Sequence, residues 1–124
     1  MKSQKPAEWV GSSKGDLRQF PEEVRRLMGV AIHDAQNGDE HPDAKALRGF
    51  GGRSVLEIVD DHDGDTYRGV YTVKFFKAIY VLHRFRKKSK KGIATPRHDI
   101  DLVRTRLKTA ERHYLANYPG GGKK

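Results

Sequence analysis

The sequence contains no cysteine and no long apolar run. Without cysteine, the chain cannot form a disulfide framework or a thiolate-held metal site. Its apolar runs are much shorter than the roughly 20 residues that a membrane-spanning helix needs. The first seven residues also lack the apolar segment of a signal peptide. We therefore expect a cytoplasmic protein with no membrane partner.

Acidic side chains are missing from one stretch of the chain. From Arg84 to Arg97, with both included, there are seven basic residues and no acid. The 124 residues together carry a formal net charge of +9, and the pI is about 9.9. A charge of this size favours a polyanionic partner such as nucleic acid, an anionic membrane surface or an acidic protein. Because the positive charge is concentrated in one stretch, we favour nucleic acid.

Motifs for metals and for serine nucleophiles are also missing. The six histidines show no close paired spacing, and no Gly-x-Ser-x-Gly motif is present. The acidic stretch from Asp61 to Asp65 resembles part of a calcium loop, but Thr72 stands where such a loop needs a carboxylate. Its Asp63-Gly64 pair instead predicts a hairpin turn. We expect no metal and no cofactor.

Hydrophobic periodicity predicts one α+β domain over residues 1–124. A helical hairpin, or one helix broken before Pro21, is expected over residues 14–36. Thr95 is the expected N-cap of a last helix whose apolar stripe ends at Tyr114. The expected strands cover residues 7–10, 54–59, 67–76 and 79–85.

These elements predict a small antiparallel sheet, formed by a meander of three strands plus an N-terminal strand. The sheet packs with the helical hairpin and the C-terminal helix. The core is expected over residues 7–114, followed by a flexible tail over residues 115–124. Strict alternation in the last strand predicts two faces. One face holds Ile79, Val81, His83 and Phe85, and the other holds Tyr80, Leu82, Arg84 and Arg86.

The basic stretch suits phosphodiester chemistry. Cleaving RNA without a metal needs a base for the 2′-hydroxyl, an acid for the leaving oxygen and cations for the transition state. Arg68, on the neighbouring strand, can point into the same concavity as the basic end of the last strand. Arginine binds phosphate through two parallel hydrogen bonds. A lysine among other cations, or His83, can transfer protons.

Several of these residues also have a purely structural interpretation. His83 alternates with core residues, which is typical of a buried histidine with satisfied hydrogen bonds. Arg68 can pair with Asp65 or Glu57. Lys90 and Lys91 are compatible with a mobile loop that only steers RNA.

The order of five motifs resembles the phage Gp49-like branch of the RelE/HigB toxins over residues 7–114. The motifs are Leu47-Arg-Gly, Leu56-Glu-Ile58, Tyr67-Arg-Gly-Val-Tyr71, the segment from Val81 to Lys90, and Thr95-Pro96. The resemblance implies a RelE-like fold and a type II toxin that cleaves mRNA on the ribosome. It also implies a cognate helix-turn-helix antitoxin of the HigA type.

The resemblance and the chemistry together give the predicted site. Arg68 is expected to contact the scissile phosphate. The catalytic residues are then Arg68, His83 and Lys87. The RNA-binding residues are Arg48, Arg84, Arg86, Lys88, Lys90 and Lys91.

Two other functions stay open on this scaffold. One is a ParE-like toxin that acts on DNA gyrase without cleaving RNA, and the other is a basic protein that binds RNA or the ribosome. The sequence departs from the family at Val59 and Asp60, which follow Ile58 where relatives commonly carry a basic residue.

Overall fold

The computed structural model describes residues 4–87 and 94–123, which form five strands and three helices. The strands are β1 (Ala7–Trp9), β2 (Lys45–Ala46), β3 (Val55–His62), β4 (Asp65–Thr72) and β5 (Ile79–Lys87). The helices are α1 (Ser13–Arg18), α2 (Glu22–Gln36) and α3 (Arg97–Asn117). No helix in these ranges has the length and apolarity to cross a bilayer.

The strands form one sheet in the order β1-β5-β4-β3-β2. β1 pairs with β5 in parallel, and the other pairs are antiparallel. The predicted α+β fold with its antiparallel meander is therefore confirmed. β2 is a fifth strand, outside the four strands that the sequence predicts.

The break between α1 and α2 follows the sequence signals. Pro21 precedes α2 with a ψ of 149°, and Glu22 and Glu23 occupy its first turn, where carboxylates favour the positive end of a helix. The helix is capped by Asn37, and Gly38 follows with a φ of 82°, which glycine adopts without steric strain. The buried stripe of α2 consists of Val24, Met28, Ala31, Ile32 and Ala35.

Helices cover both faces of the sheet. On the face that packs against α3, which we call the α3 face, Val70 and Leu82 share a core with Val103. On the opposite face, which we call the α2 face, Ile58 and Tyr71 share a core with residues of α2. Each fully buried valine, leucine or isoleucine side chain stabilises the fold by about 1.5–3 kcal/mol.

The β3–β4 hairpin turns on two residues with positive φ, Asp63 at 50° and Gly64 at 83°. This turn twists in the same sense as the strands it joins. The strands therefore run directly into the turn, and both lie closer to it than predicted: β3 continues to His62, and β4 spans Asp65 to Thr72.

One extra residue interrupts the pairing of β5 with β4. His83 lies opposite Val70, but the next pair along β4 joins Tyr71 to Val81. Leu82 is therefore the additional residue of a β-bulge, and such a residue disturbs the alternation of side chains.

The bulge changes which face the later side chains of β5 occupy. Tyr80 and Leu82 belong to the α3 core, and His83 also contacts α3. Arg84 instead contacts α2, on the face where Ile79 packs. The predicted faces are therefore wrong. His83 does not share a face with Ile79, and Arg84 does not share a face with Tyr80.

Residues 115–123, which belong to the predicted flexible tail, form contacts with the rest of the fold. α3 continues to Asn117. Tyr118 then donates a hydrogen bond to Glu8, and Lys123 forms a β-bridge with Phe75. These contacts connect the last described residues to β1 and to the segment between β4 and β5.

Candidate functional site

A cleft of about 710 Å³ opens on the α3 face between β2, β3 and the start of α3. Its floor contains Arg68 of β4, and Arg48 lies on its wall just after β2. The structure thus brings two of the predicted site residues together. The other lining residues are Lys45, Ala46, Leu47, Glu57, Val59, Asp61, Ala94, Thr95 and Ile100.

Arg68 is held in a triangle of polar contacts at the floor of this cleft. It is 4% exposed, and its Nη1 lies 3.5 Å from Oε1 of Glu57. The same nitrogen donates a 3.0 Å hydrogen bond to Oγ1 of Thr95, which donates a 2.5 Å bond to Oε2 of Glu57. Removing one partner of a buried ion pair lowers the stability of a fold by about 3–5 kcal/mol. Such a pair therefore holds both side chains in place. Of the two ion-pair partners that the sequence allowed for Arg68, Glu57 is the one that lies within salt-bridge distance.

Thr95 therefore has a different role from the one predicted. The residue that precedes α3 as its N-cap is Pro96, and no side chain caps this helix end. The Thr95 hydroxyl instead joins Arg68 to Glu57. The start of α3 is thus tied to β3 and β4 through the cleft.

Glu57 is the residue whose chemistry the sequence analysis missed. It was considered only as a possible ion-pair partner of Arg68. Its neighbours Leu56 and Ile58 face the α2 core, so the alternation of the strand turns the carboxylate toward the cleft. Glu57 is 9% exposed. A carboxylate can accept a proton in acid–base catalysis, so Glu57 is a candidate proton acceptor.

The basic end of β5 is only partly described. Lys87 lies opposite Thr66 and Phe85 opposite Arg68. Lys87 is therefore the diagonal neighbour of Arg68 on the α3 face, a relation that places residues about 7–8 Å apart. Lys88, Lys90 and Lys91, which were predicted to bind RNA, lie outside the described residues.

His83 is buried against α3 and does not line the cleft. It is 7% exposed, its Nε2 lies 2.8 Å from Oδ1 of Asp99, and its Nδ1 lies 3.3 Å from Nη1 of Arg106. Burial lowers the pKa of His83, although the hydrogen bond to Asp99 opposes this shift. The geometry favours the structural interpretation of His83 over the predicted catalytic one.

Arg84, which was predicted to bind RNA, is buried under the sheet on the α2 face. It is 2% exposed, and its Nη1 lies 2.7 Å from the sulfur of Met28. A Cβ on Gly69 would stand 1.6 Å from this nitrogen, so the glycine leaves the room that the guanidinium occupies. Its Nε and Nη2 have no hydrogen-bond partner among the described residues. Burial lowers the pKa of Arg84 to about 10.

Arg86 also faces away from the cleft. It lies opposite Tyr67, whose ring packs on Phe20 at the α2 face. Its Nη1 lies 3.7 Å from a carboxylate oxygen of Asp65, and its side chain is 46% exposed. Arg86 is therefore not carried into the proposed site.

Within residues 4–87 and 94–123, no group of three histidine, aspartate or glutamate side chains is arranged to hold a metal ion.

The sheet, the three helices and the cleft define a small α+β protein compatible with the RelE-like fold. The model of the Gp49-like family of phage-derived proteins matches residues 15–108. The chain belongs to this family of RelE/HigB-like toxins. Membership is consistent with the toxin of a toxin–antitoxin system and implies pairing with an antitoxin. No curated protein matches the chain.

Proposed function

We propose that this protein is the toxin of a type II toxin–antitoxin system and that it cleaves mRNA on the ribosome without a metal ion. The observation that carries the proposal is the pairing of Arg68 with Glu57 at the floor of the cleft. This pair combines a phosphate-binding cation with a carboxylate that can accept a proton. Arg48 and Lys45 on the wall add positive charge for the RNA backbone.

In the proposed reaction, the Glu57 carboxylate takes the proton of a ribose 2′-hydroxyl. The resulting oxygen attacks the adjacent phosphorus, and the bond from phosphorus to the 5′-oxygen of the next nucleotide breaks. The products are a 2′,3′-cyclic phosphate and a 5′-hydroxyl end. Arg68 stabilises the extra negative charge on the phosphate oxygens in the transition state.

The departing 5′-oxygen needs a proton. We assign this role to Lys87, because the strand register places it on the same face as Arg68. His83 is left out of the reaction, because its ring is buried against Asp99 and Arg106. The proposed catalytic residues are therefore Glu57, Arg68 and Lys87.

The test is to induce the protein in a bacterial host and to map new mRNA 5′ ends by primer extension. We expect ends that follow the reading frame with the wild type. They should disappear with Arg68→Ala and with Glu57→Gln, which keeps the size of the side chain. Arg26→Ala is the matched control, because Arg26 is an exposed arginine of α2 whose ion pair among the described residues, with Glu22, lies within its own helix. It should cleave like the wild type.

Other outcomes would contradict the proposal. Intact transcripts with arrested growth and DNA damage signalling would point to a gyrase poison. Intact transcripts without arrest would point to a binding protein. Purified protein that cleaves mRNA equally well with and without ribosomes would contradict the ribosome dependence. Co-expression of a neighbouring helix-turn-helix protein should restore growth if that protein is the antitoxin.

A further inference from the structure

Two exposed cations line the cleft on the side of β2, and a third, on α3, contacts the loop that follows β2. They are Lys45, Arg48 and Arg104, and none of them forms a salt bridge with a described residue. Lys45 pairs with Glu57 in the sheet register, and β2 and β3 run antiparallel. Arg48 therefore lies toward the start of β3, whereas the acidic Asp61 lies toward its end. A polyanion that leaves the floor of the cleft is attracted toward Arg48 and away from Asp61.

Arg104 lies next to the loop that follows Arg48, and two contacts orient its side chain. Its Nη1 donates a 3.1 Å hydrogen bond to the carbonyl of Gly49, the residue after Arg48. Its guanidinium carbon lies 4.7 Å from the ring centre of Phe50. Ile100, one helical turn earlier on α3, lines the cleft itself. The Phe50 ring and the Gly49 carbonyl thus hold the guanidinium next to the wall of the cleft.

Gly49 permits this arrangement. It has a φ of +94°, and a Cβ at this position would stand 2.8 Å from Nη2 of Arg104. The loop after β2 therefore passes closely under the arginine, and its carbonyl reaches the guanidinium. Phe50 packs partly against the α3 core. The position of its ring under Arg104 therefore depends on the packing of α3 on the sheet.

We propose that Phe50 and Arg104 form a base-stacking subsite for single-stranded RNA, next to the floor of the cleft. The inference rests on the proposed function and adds to it the placement of the neighbouring nucleotide. One side of the guanidinium faces the Phe50 ring, and a nucleobase stacks on its exposed side. Arg48 and Lys45 bind the phosphates that connect this nucleotide to the one above Arg68. Arginine planes stack bases of any identity, so the subsite tolerates different sequences.

The test measures the binding of the full chain to a fluorescein-labelled 2′-O-methyl RNA octanucleotide by anisotropy. The methyl group blocks attack by the 2′-oxygen, so the wild type can be used. Arg104→Lys keeps the charge but loses the planar surface, whereas Arg104→Ala loses both. Arg112→Lys is the matched control, because Arg112 is an exposed arginine farther along the same helix. A set of probes with a single abasic position tests the base itself.

We expect Arg104→Lys to weaken binding about tenfold, since one stacked base contributes about this much. The dependence of binding on salt should stay the same. Arg104→Ala should weaken binding further, and the slope of log K against log salt should fall by about 0.7 if its charge meets a phosphate. One abasic position should weaken wild-type binding about tenfold and leave Arg104→Lys unchanged. Arg112→Lys should bind like the wild type.

The subsite is overturned if Arg104→Lys binds as tightly as the wild type, if every abasic probe binds equally, or if the wild type does not bind the probe. These results leave the cleavage test unaffected, because that test reads mRNA ends in cells. Conversely, intact mRNA in cells together with Arg104-dependent binding would overturn the nuclease and keep the subsite.

Discussion

Replacing Arg84 by methionine should stabilise the protein. The guanidinium is 2% exposed, and its Nε and Nη2 lack partners among the described residues. Burial lowers its pKa from 12.5 to about 10, which corresponds to about 3 kcal/mol of penalty for the charged form at 1.36 kcal/mol per unit. Methionine keeps most of the contact with Met28 but leaves a small void. We therefore expect the free energy of unfolding to rise by about 2 kcal/mol, within the range known for replaced buried charges.

Urea unfolding followed by circular dichroism measures this change. Arg86→Met is the control, since its half-exposed ion pair with Asp65 contributes less than about 1 kcal/mol. Gly69→Ala is a second test of the same packing, because the added Cβ would overlap Nη1 of Arg84. It should destabilise the wild type by about 1–3 kcal/mol and the Arg84→Met protein by less. A loss of more than 1 kcal/mol on Arg84→Met, at an unchanged m-value, would refute the reasoning.

Three further predictions concern single side chains. Because the pKa of His83 is lowered below its usual 6.5, the stability that its neutral ring provides is complete above about pH 6.5 and is lost as the pH falls toward the folded-state pKa. In the His83→Gln protein the urea midpoint should depend less on pH in that window. A pH dependence equal to that of the wild type would contradict this. Thr95→Asp should lower the free energy of unfolding by about 1–3 kcal/mol, because it places a second carboxylate beside Glu57; a gain would show that residue 95 acts as a helix cap. Tyr80→Phe removes the 2.6 Å hydrogen bond to His113 and should lower the melting temperature through a loss of about 1 kcal/mol, whereas an unchanged value would show that the bond contributes nothing.

The parts of the fold that follow local rules could be predicted from the sequence. The helix break before Pro21 and the Asp63-Gly64 turn each depend on neighbouring residues only. The short links between consecutive strands likewise predicted the antiparallel meander. β2 could not be predicted, because a strand of two residues with exposed side chains has no periodicity to detect.

The predicted site was less accurate, because its errors depend on tertiary packing. Leu82 looks like an ordinary strand residue, and only its pairing with β4 reveals the bulge that moves His83 and Arg84 to other faces. A basic residue beside other basic residues suggests an exposed position, but Arg84 occupies the space that Gly69 leaves free. The triangle around Arg68 joins three segments far apart in the sequence, so no local pattern indicates it.

The hydrogen bond between Glu8 and Tyr118 has a consequence for the nascent chain. It joins residues that are 110 positions apart. While α3 is still inside the ribosome, the α3 face of the sheet is uncovered, and Thr95 cannot join Arg68 to Glu57. Domains fold as their segments emerge during synthesis, so the cleft is completed only after α3 has left the exit tunnel. If the protein attacks translated mRNA, a nascent chain whose α3 has not yet emerged lacks the completed cleft.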